Sequence, residues 1–177
     1  VERALKFLMR SVDPATGWYP EDPFVGLLYP NDDSGRGTGS LTYRVRPKTG
    51  VPSGTVIRNR ARIVFDNNDP IDTPEVFNTL DAGPPASSVL ALPTESGTMF
   101  PVSWSAQDDP GGSGVASISL FVSADGTNYV PWLETNGAGS VWFRGAPGTT
   151  FRFYTTSRDN VGHEESAPGV PYATVTV

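Results

Sequence analysis

From Phe100 to the C-terminus, apolar residues recur at every second position in short runs, and turn residues close each run. This period constrains the fold more than any other feature. A period of two is that of a strand with one buried face, whereas a helix needs 3.6. Val102, Trp104 and Ala106 share a face of the first run. Ile118, Leu120 and Val122 then alternate with Ser117, Ser119 and Ser123. Phe151, Phe153 and Thr155 alternate with Arg152, Tyr154 and Thr156, and Val175 and Val177 share the last face. Residues 129–133 and 140–144 are further candidate strands. The segment 107–114 is a turn, and Ala124-Asp-Gly-Thr-Asn128 is a hairpin signal because Asp-Gly suits positive φ. With 19 Gly and 17 Pro in 177 residues, turns are frequent enough for this spacing. Many short strands between turn signals indicate an antiparallel sandwich.

The first half is less regular. Leu41 to Arg46 alternates, and so does Val56 to Phe65, where Ile57, Asn59, Ala61, Ile63 and Phe65 share a face. Arg58, Arg60 and Arg62 line the opposite face, which reads as the wet side of a strand. Residues 2–12 fit helix or strand, and strand is favoured. Pro14, Pro20, Pro23 and Pro30, with Gly17 and Gly26, make 13–40 a long irregular connection, and such connections are usually functional or pinned. The clearest boundary is Asp81-Ala-Gly-Pro-Pro-Ala-Ser-Ser88, stiffened by its prolines. The expected division is a sandwich over 1–82, a Gly/Pro linker over 83–88 and a second sandwich over 89–177. The start at Val1 reads as a processed or excised piece of something larger, so the first domain is open to being incomplete.

The net charge of −6, from 13 basic and 19 acidic residues, argues against nucleic acid, which requires a basic stripe. Without Cys there is no disulfide framework, thiolate nucleophile or zinc ribbon. No apolar run approaches the ~20 residues of a membrane span.

Two resemblances follow from particular stretches. Val102-Ser-Trp104-Ser, the run from Thr150 to Gly162 and Ser166-Ala-Pro168 resemble a fibronectin type III domain over about residues 86–177. Asp108-Asp-Pro-Gly-Gly-Ser-Gly-Val115 and Arg158-Asp-Asn-Val-Gly-His163 look like the variant found in large bacterial secreted and surface proteins. That variant usually has Asn where this chain has His163. The stretch Arg46 to Thr73, with Asn78-Thr-Leu-Asp81, is similar to Ig-like repeats of the same kind of protein. The resemblance implies an exported, multidomain, non-catalytic setting whose partners are neighbouring domains.

The residues carry little catalytic chemistry. The single His163 stands in a turn motif, and there is no nucleophile elbow or phosphate-cradling loop. Adjacent acid pairs on polar loops do not make the cleft that a glycosidase needs. Calcium is the better use of them, since it takes six to eight oxygens from carboxylates, amides and carbonyls. Asp66, Asn68, Asp69 and Asp72 form one candidate cluster, for which plain turn formation is the competing reading. In an Ig-like sandwich, Asp108 and Asp109 would lie in one loop, with Asp159 and Asn160 in another at the same end. The resemblance brings Asp81 there too. Such carboxylates repel unless a cation or Arg158 neutralises them. Trp18, Tyr19 and Trp132 are candidate sugar-stacking residues, with core packing as the alternative. Of Trp132 and Leu133, and of Trp142 and Phe143, one neighbour must face outward. The expected function is an extracellular structural or spacer module stabilised by calcium. The alternative is an accessory carbohydrate-binding or adhesive module attached to an enzyme outside this chain, with surface or matrix glycans as partners.

Overall fold

The computed structural model describes residues 4–22, 24–28, 30–35 and 37–177. It is all-β, as expected, with eleven antiparallel strands among the described residues. They are β1 (Val56–Asn59), β2 (Arg62–Ile63), β3 (Ile71–Asp72), β4 (Val76–Thr79), β5 (Ala86–Val89) and β6 (Met99–Gln107). They continue as β7 (Val115–Ser123), β8 (Val130–Thr135), β9 (Gly139–Arg144), β10 (Thr150–Asp159) and β11 (Ala173–Thr176). The chain divides into two compact units, Val1–Arg46 and Pro47–Val177. This boundary does not coincide with the one expected at 82/83, and the expected linker is strand from Ala86 onward.

The first unit holds no strand among its described residues, so the strands expected within 4–12 and over 41–46 are not formed. Alternation supplies a face, but a strand also needs a ladder with a partner edge, and among the described residues no ladder includes these runs. The unit is organised by side chains bonding their own backbone. Asp13 Oδ1 accepts from the Ala15 amide at 2.8 Å, and Asp32 Oδ1 from the Ser34 amide at 3.0 Å. The Phe7 and Tyr43 rings lie 5.8 Å apart.

In the second unit, β1 pairs with β4 and β2 with β3, making one hairpin with an interruption. Pro74 lacks an N–H and breaks the ladder. The Thr73 hydroxyl takes over there, accepting from the Ala61 amide at 2.9 Å. The arginine face is paired across the hairpin: Arg58 with Glu75 at 2.7 Å, and Arg62 with Asp72 through two bonds of 2.8 and 2.9 Å. No second strand layer covers this hairpin among the described residues, and Ile71, Val76 and Phe77 are exposed.

The sandwich follows. Sheet β5-β6-β9 faces sheet β11-β10-β7-β8. The period-two residues form the core: Val89, Phe100, Val102 and Trp104 from one sheet, and Ile118, Leu120, Phe151, Phe153, Ala173 and Val175 from the other. Phe153 lies at the centre, its ring 5.1 Å from Phe143 and 5.8 Å from Trp132. Trp104 is buried and its indole N–H donates to the Gly137 carbonyl at 2.9 Å, so its polar atom is satisfied. The Asp-Gly hairpin forms as expected between β7 and β8. Gly126 has φ +80°, and Asp125 Oδ1 accepts from the amides of Thr127 and Asn128.

Candidate functional site: the acidic loop junction

Three loops meet the segment that leads into β5. The β6–β7 loop carries Asp108 and Asp109, the β10–β11 loop carries Asp159 to Glu165, and the turn before β1 carries Ser53 and Gly54. The Ala82 amide donates to Ser53 Oγ at 2.7 Å and the Gly54 amide to the Leu80 carbonyl at 2.9 Å. Gly54 and Gly111 touch backbone to backbone. A Cβ on Gly111 would lie 2.8 Å from Gly54 Cα, and both residues have positive φ. Glycine is required at both on steric grounds.

Asp81 is the centre. Its side chain is 4% exposed. Oδ2 accepts from the Ser113 amide at 2.7 Å, and Oδ1 lies 3.7 Å from His163 Nδ1. The neighbouring Ser113 hydroxyl outweighs the cost of burial and, with the Ser113 and Gly83 amides, holds the Asp81 carboxyl below its ordinary value. Asp108 turns inward on its own loop, accepting from the Asp109 amide at 2.9 Å and the Gly114 amide at 2.6 Å. Asp109 Oδ1 is buried without a hydrogen-bond partner. One oxygen each from Asp81, Asp108 and Asp109 lie within 4.8 Å of one another. Gly112 leaves the adjoining space open, since a Cβ there would meet oxygens of both Asp108 and Asp109 at 2.6 Å.

Asp159 is nearby but differently employed. Its Oδ1 accepts from the amides of Val161, Gly162 and His163, and its Oδ2 faces His163 Nδ1 at 2.7 Å. Burial opposes its charge, yet these donors, led by the His163 amide and ring, hold its carboxyl low. His163 is raised by the same bond, against desolvation, with Asp81 adding to it. A carboxylate with four protein donors is filled, so Asp159 caps its loop. Asn160 ties loop to loop, its Nδ2 donating to the carbonyls of Ser113 and Gly114 at 2.8 and 3.0 Å. Arg158, the expected neutralising partner, lies instead 3.8 Å from Glu164.

The other candidates are scattered. Asp72 is held by Arg62, whose hydrogen bonds and charge lower its pKa. Asp66 occupies a left-handed turn position with φ +50°, and the Asn68 amide bonds back to the Phe65 carbonyl. Asp66 and Asp69 join no convergent carboxylate group among the described residues. Trp18 and Tyr19 are exposed, but their rings meet edge-on at 75° and offer no flat row. Trp132 is half-buried against Phe143 and Phe153, whereas Trp142 is 64% exposed.

Sequence reasoning missed two residues. His163 bridges Asp159 and Asp81, and its only local signal was its position after Gly162. Glu165 fastens β5 to β10: Oε1 accepts from the Ser87 amide at 2.9 Å, and Oε2 accepts from the Ser87 and Ser157 hydroxyls. Ser87 is 78 residues away from it, so no local pattern announces the contact.

A sequence family described as a domain of unknown function (DUF7619) matches residues 24–79. The match ends with β4, two residues before Asp81, and leaves the sandwich outside it. No curated protein matches the chain. Among the described residues, no helix is long and apolar enough to cross a membrane.

Proposed function

We propose that this chain is a non-catalytic structural module of an exported, multidomain protein, in which a fibronectin type III-like sandwich follows an Ig-like segment. The observation that carries the reading is the fastening at Asp81. The segment entering β5 is bound to the turn before β1 and to two sandwich loops, through Ser53, Ser113 and His163. That arrangement transmits orientation from the hairpin to the sandwich, as a spacer requires. The arrangement of a three-stranded sheet against a four-stranded one, with Trp104 in the core, supports the fibronectin type III-like part. The carboxylates are committed to backbone amides and loop contacts rather than to a substrate cleft, which supports a non-catalytic role.

Calcium fits this site. The donors of Asp81, Asp108 and Asp109 are all oxygen, as a hard cation prefers. Two oxygens on one Ca²⁺ at 2.3–2.6 Å are at most about 5 Å apart, and these three satisfy that limit. The orphaned Asp109 Oδ1 gains a partner when the ion binds. The proposed ligand set is Asp81, Asp108 and Asp109, which each keep capacity beyond one amide per bonded oxygen. Asp159 Oδ1 alone takes three amides, with Oδ2 on His163, and both oxygens of Asp72 are held by Arg62. Calorimetric titration of the whole chain with Ca²⁺ tests this part. Saturable heat in the wild type, abolished by Asp109→Asn, is expected, and no heat in the wild type rejects the metal. A second reading, a carbohydrate-binding accessory module, is favoured by the exposure of Trp142.

A further inference from the structure

The outer face of the β5-β6-β9 sheet has a composition unlike the rest of the surface. Outward residues follow from the alternation seen in burial: Phe100, Val102 and Trp104 of β6 point inward, so Met99, Pro101, Ser103, Ser105 and Gln107 point outward. Register sets their neighbours. Pro101 stands opposite Trp142, Ser103 opposite Ser140, and Ser105 opposite Ser88. Beyond a row of Met99 opposite Arg144, the face therefore runs from an indole beside a proline to two rows that are pairs of hydroxyls. A groove of about 520 Å³ lies at the indole end, where Leu90, Met99, Pro101, Ser103 and Trp142 are among its walls. A second, of about 340 Å³, lies at the hydroxyl end against Ser88, Ser105 and Gln107. No residue lining either groove is charged.

Resting on the carbohydrate-binding reading above, we infer that this face binds a neutral polysaccharide laid along β6, with one sugar ring stacked on Trp142. The chemistry selects this occupant. A pyranose has an apolar C–H face that packs on an aromatic ring, and a rim of hydroxyls that need donors and acceptors. An indole followed by hydroxyl pairs offers both in that order. At the indole end, few polar groups on a largely apolar floor is also the usual composition of a small-molecule site. Successive outward residues of a strand are about 6.6–6.8 Å apart, comparable to the span of one linked hexose, so each row meets one sugar. The groove walls themselves carry no charge, which favours a neutral glycan; the register places Arg144 opposite Met99, on the row beyond the indole. Alternation in β9 turns Trp142 outward, whereas an irregularity in the β7–β8 register at Trp132 lets both Trp132 and Leu133 pack on the core. Neither of that pair faces outward as alternation alone required, and only Trp142 of these two tryptophans is presented.

Affinity electrophoresis of the full chain in gels containing xyloglucan, laminarin, galactomannan or glycol chitin tests the inference. Retardation is expected in at least one neutral gel, unchanged by EDTA, and weakened at least about tenfold by Trp142→Ala, as for a central aromatic anchor. Trp142 is exposed, so its loss leaves the core intact, and unchanged thermal unfolding of the variant checks this. Ser105→Asp, which adds a charge to the hydroxyl rows, should also weaken binding. Retardation that survives Trp142→Ala but disappears in Trp18→Ala overturns this face and leaves the carbohydrate-binding reading standing. No retardation in any gel overturns both. Self-association that is lost in Trp142→Ala, without glycan binding, marks the face as a protein contact and also overturns the inference.

Discussion

Single residues set the turns and the junction. Gly111 is the sharpest case. Its φ of +84° and the 2.8 Å approach of any added Cβ to Gly54 Cα leave an alanine no relaxed position. Gly111→Ala should cost more than about 1 kcal/mol, read as a lowered midpoint in urea. Asp125 offers a pH test. The amides of Asn128 and Thr127, with the Asn128 and Ser123 side chains, hold its carboxyl far below the ordinary 3.8. Its stabilising contribution is therefore full above about pH 4 and is lost as pH falls through the lowered native value. Asp125→Ala should lower Tm at pH 7, and the gap from wild type should narrow as the acid limb is descended. A constant gap down to pH 2 would contradict that. Asp125-Gly126 was legible because its chemistry is local. Glu165 and His163 were not, because their partners lie on other elements.

Elements take their form from alternation and from pairing, and only the first is visible in sequence. Phe151, Phe153 and Trp104 could be placed in the core because each alternates with polar neighbours. Trp132-Leu133 and Trp142-Phe143 could not be oriented, since two adjacent bulky apolar residues satisfy either register. The register of β6 with β9 decides the second pair, turning Phe143 inward and Trp142 out. In the first pair an irregularity in the β7–β8 register lets both Trp132 and Leu133 reach the core. Alternation over 41–46 was not enough for a strand, because among the described residues no ladder of paired strands includes it. The core itself predicts two outcomes. Phe153→Ala removes a fully buried ring and should cost about 3–5 kcal/mol in chemical unfolding. Glu165→Ala leaves the buried Ser87 amide and hydroxyl without their partner, so β5 should exchange its amide hydrogens faster than β10. Equal acceleration in both strands, or no change in either, would show that Glu165 does not fasten β5.

At the scale of the whole chain, the buried core lies in the sandwich, and the proposed spacer role depends on how firmly the Asp81 junction joins the hairpin to it. An ion that binds only the folded junction adds RT ln(1 + [L]/Kd) to stability. The decisive measurement is thermal unfolding of the full chain, first in EDTA and then in millimolar Ca²⁺. The account predicts a rise of several degrees with Ca²⁺ that Asp109→Asn or Asp108→Asn greatly reduces and that Asp66→Ala leaves intact. Identical midpoints in EDTA and Ca²⁺, or a rise abolished by Asp66→Ala alone, would contradict a calcium-stabilised junction.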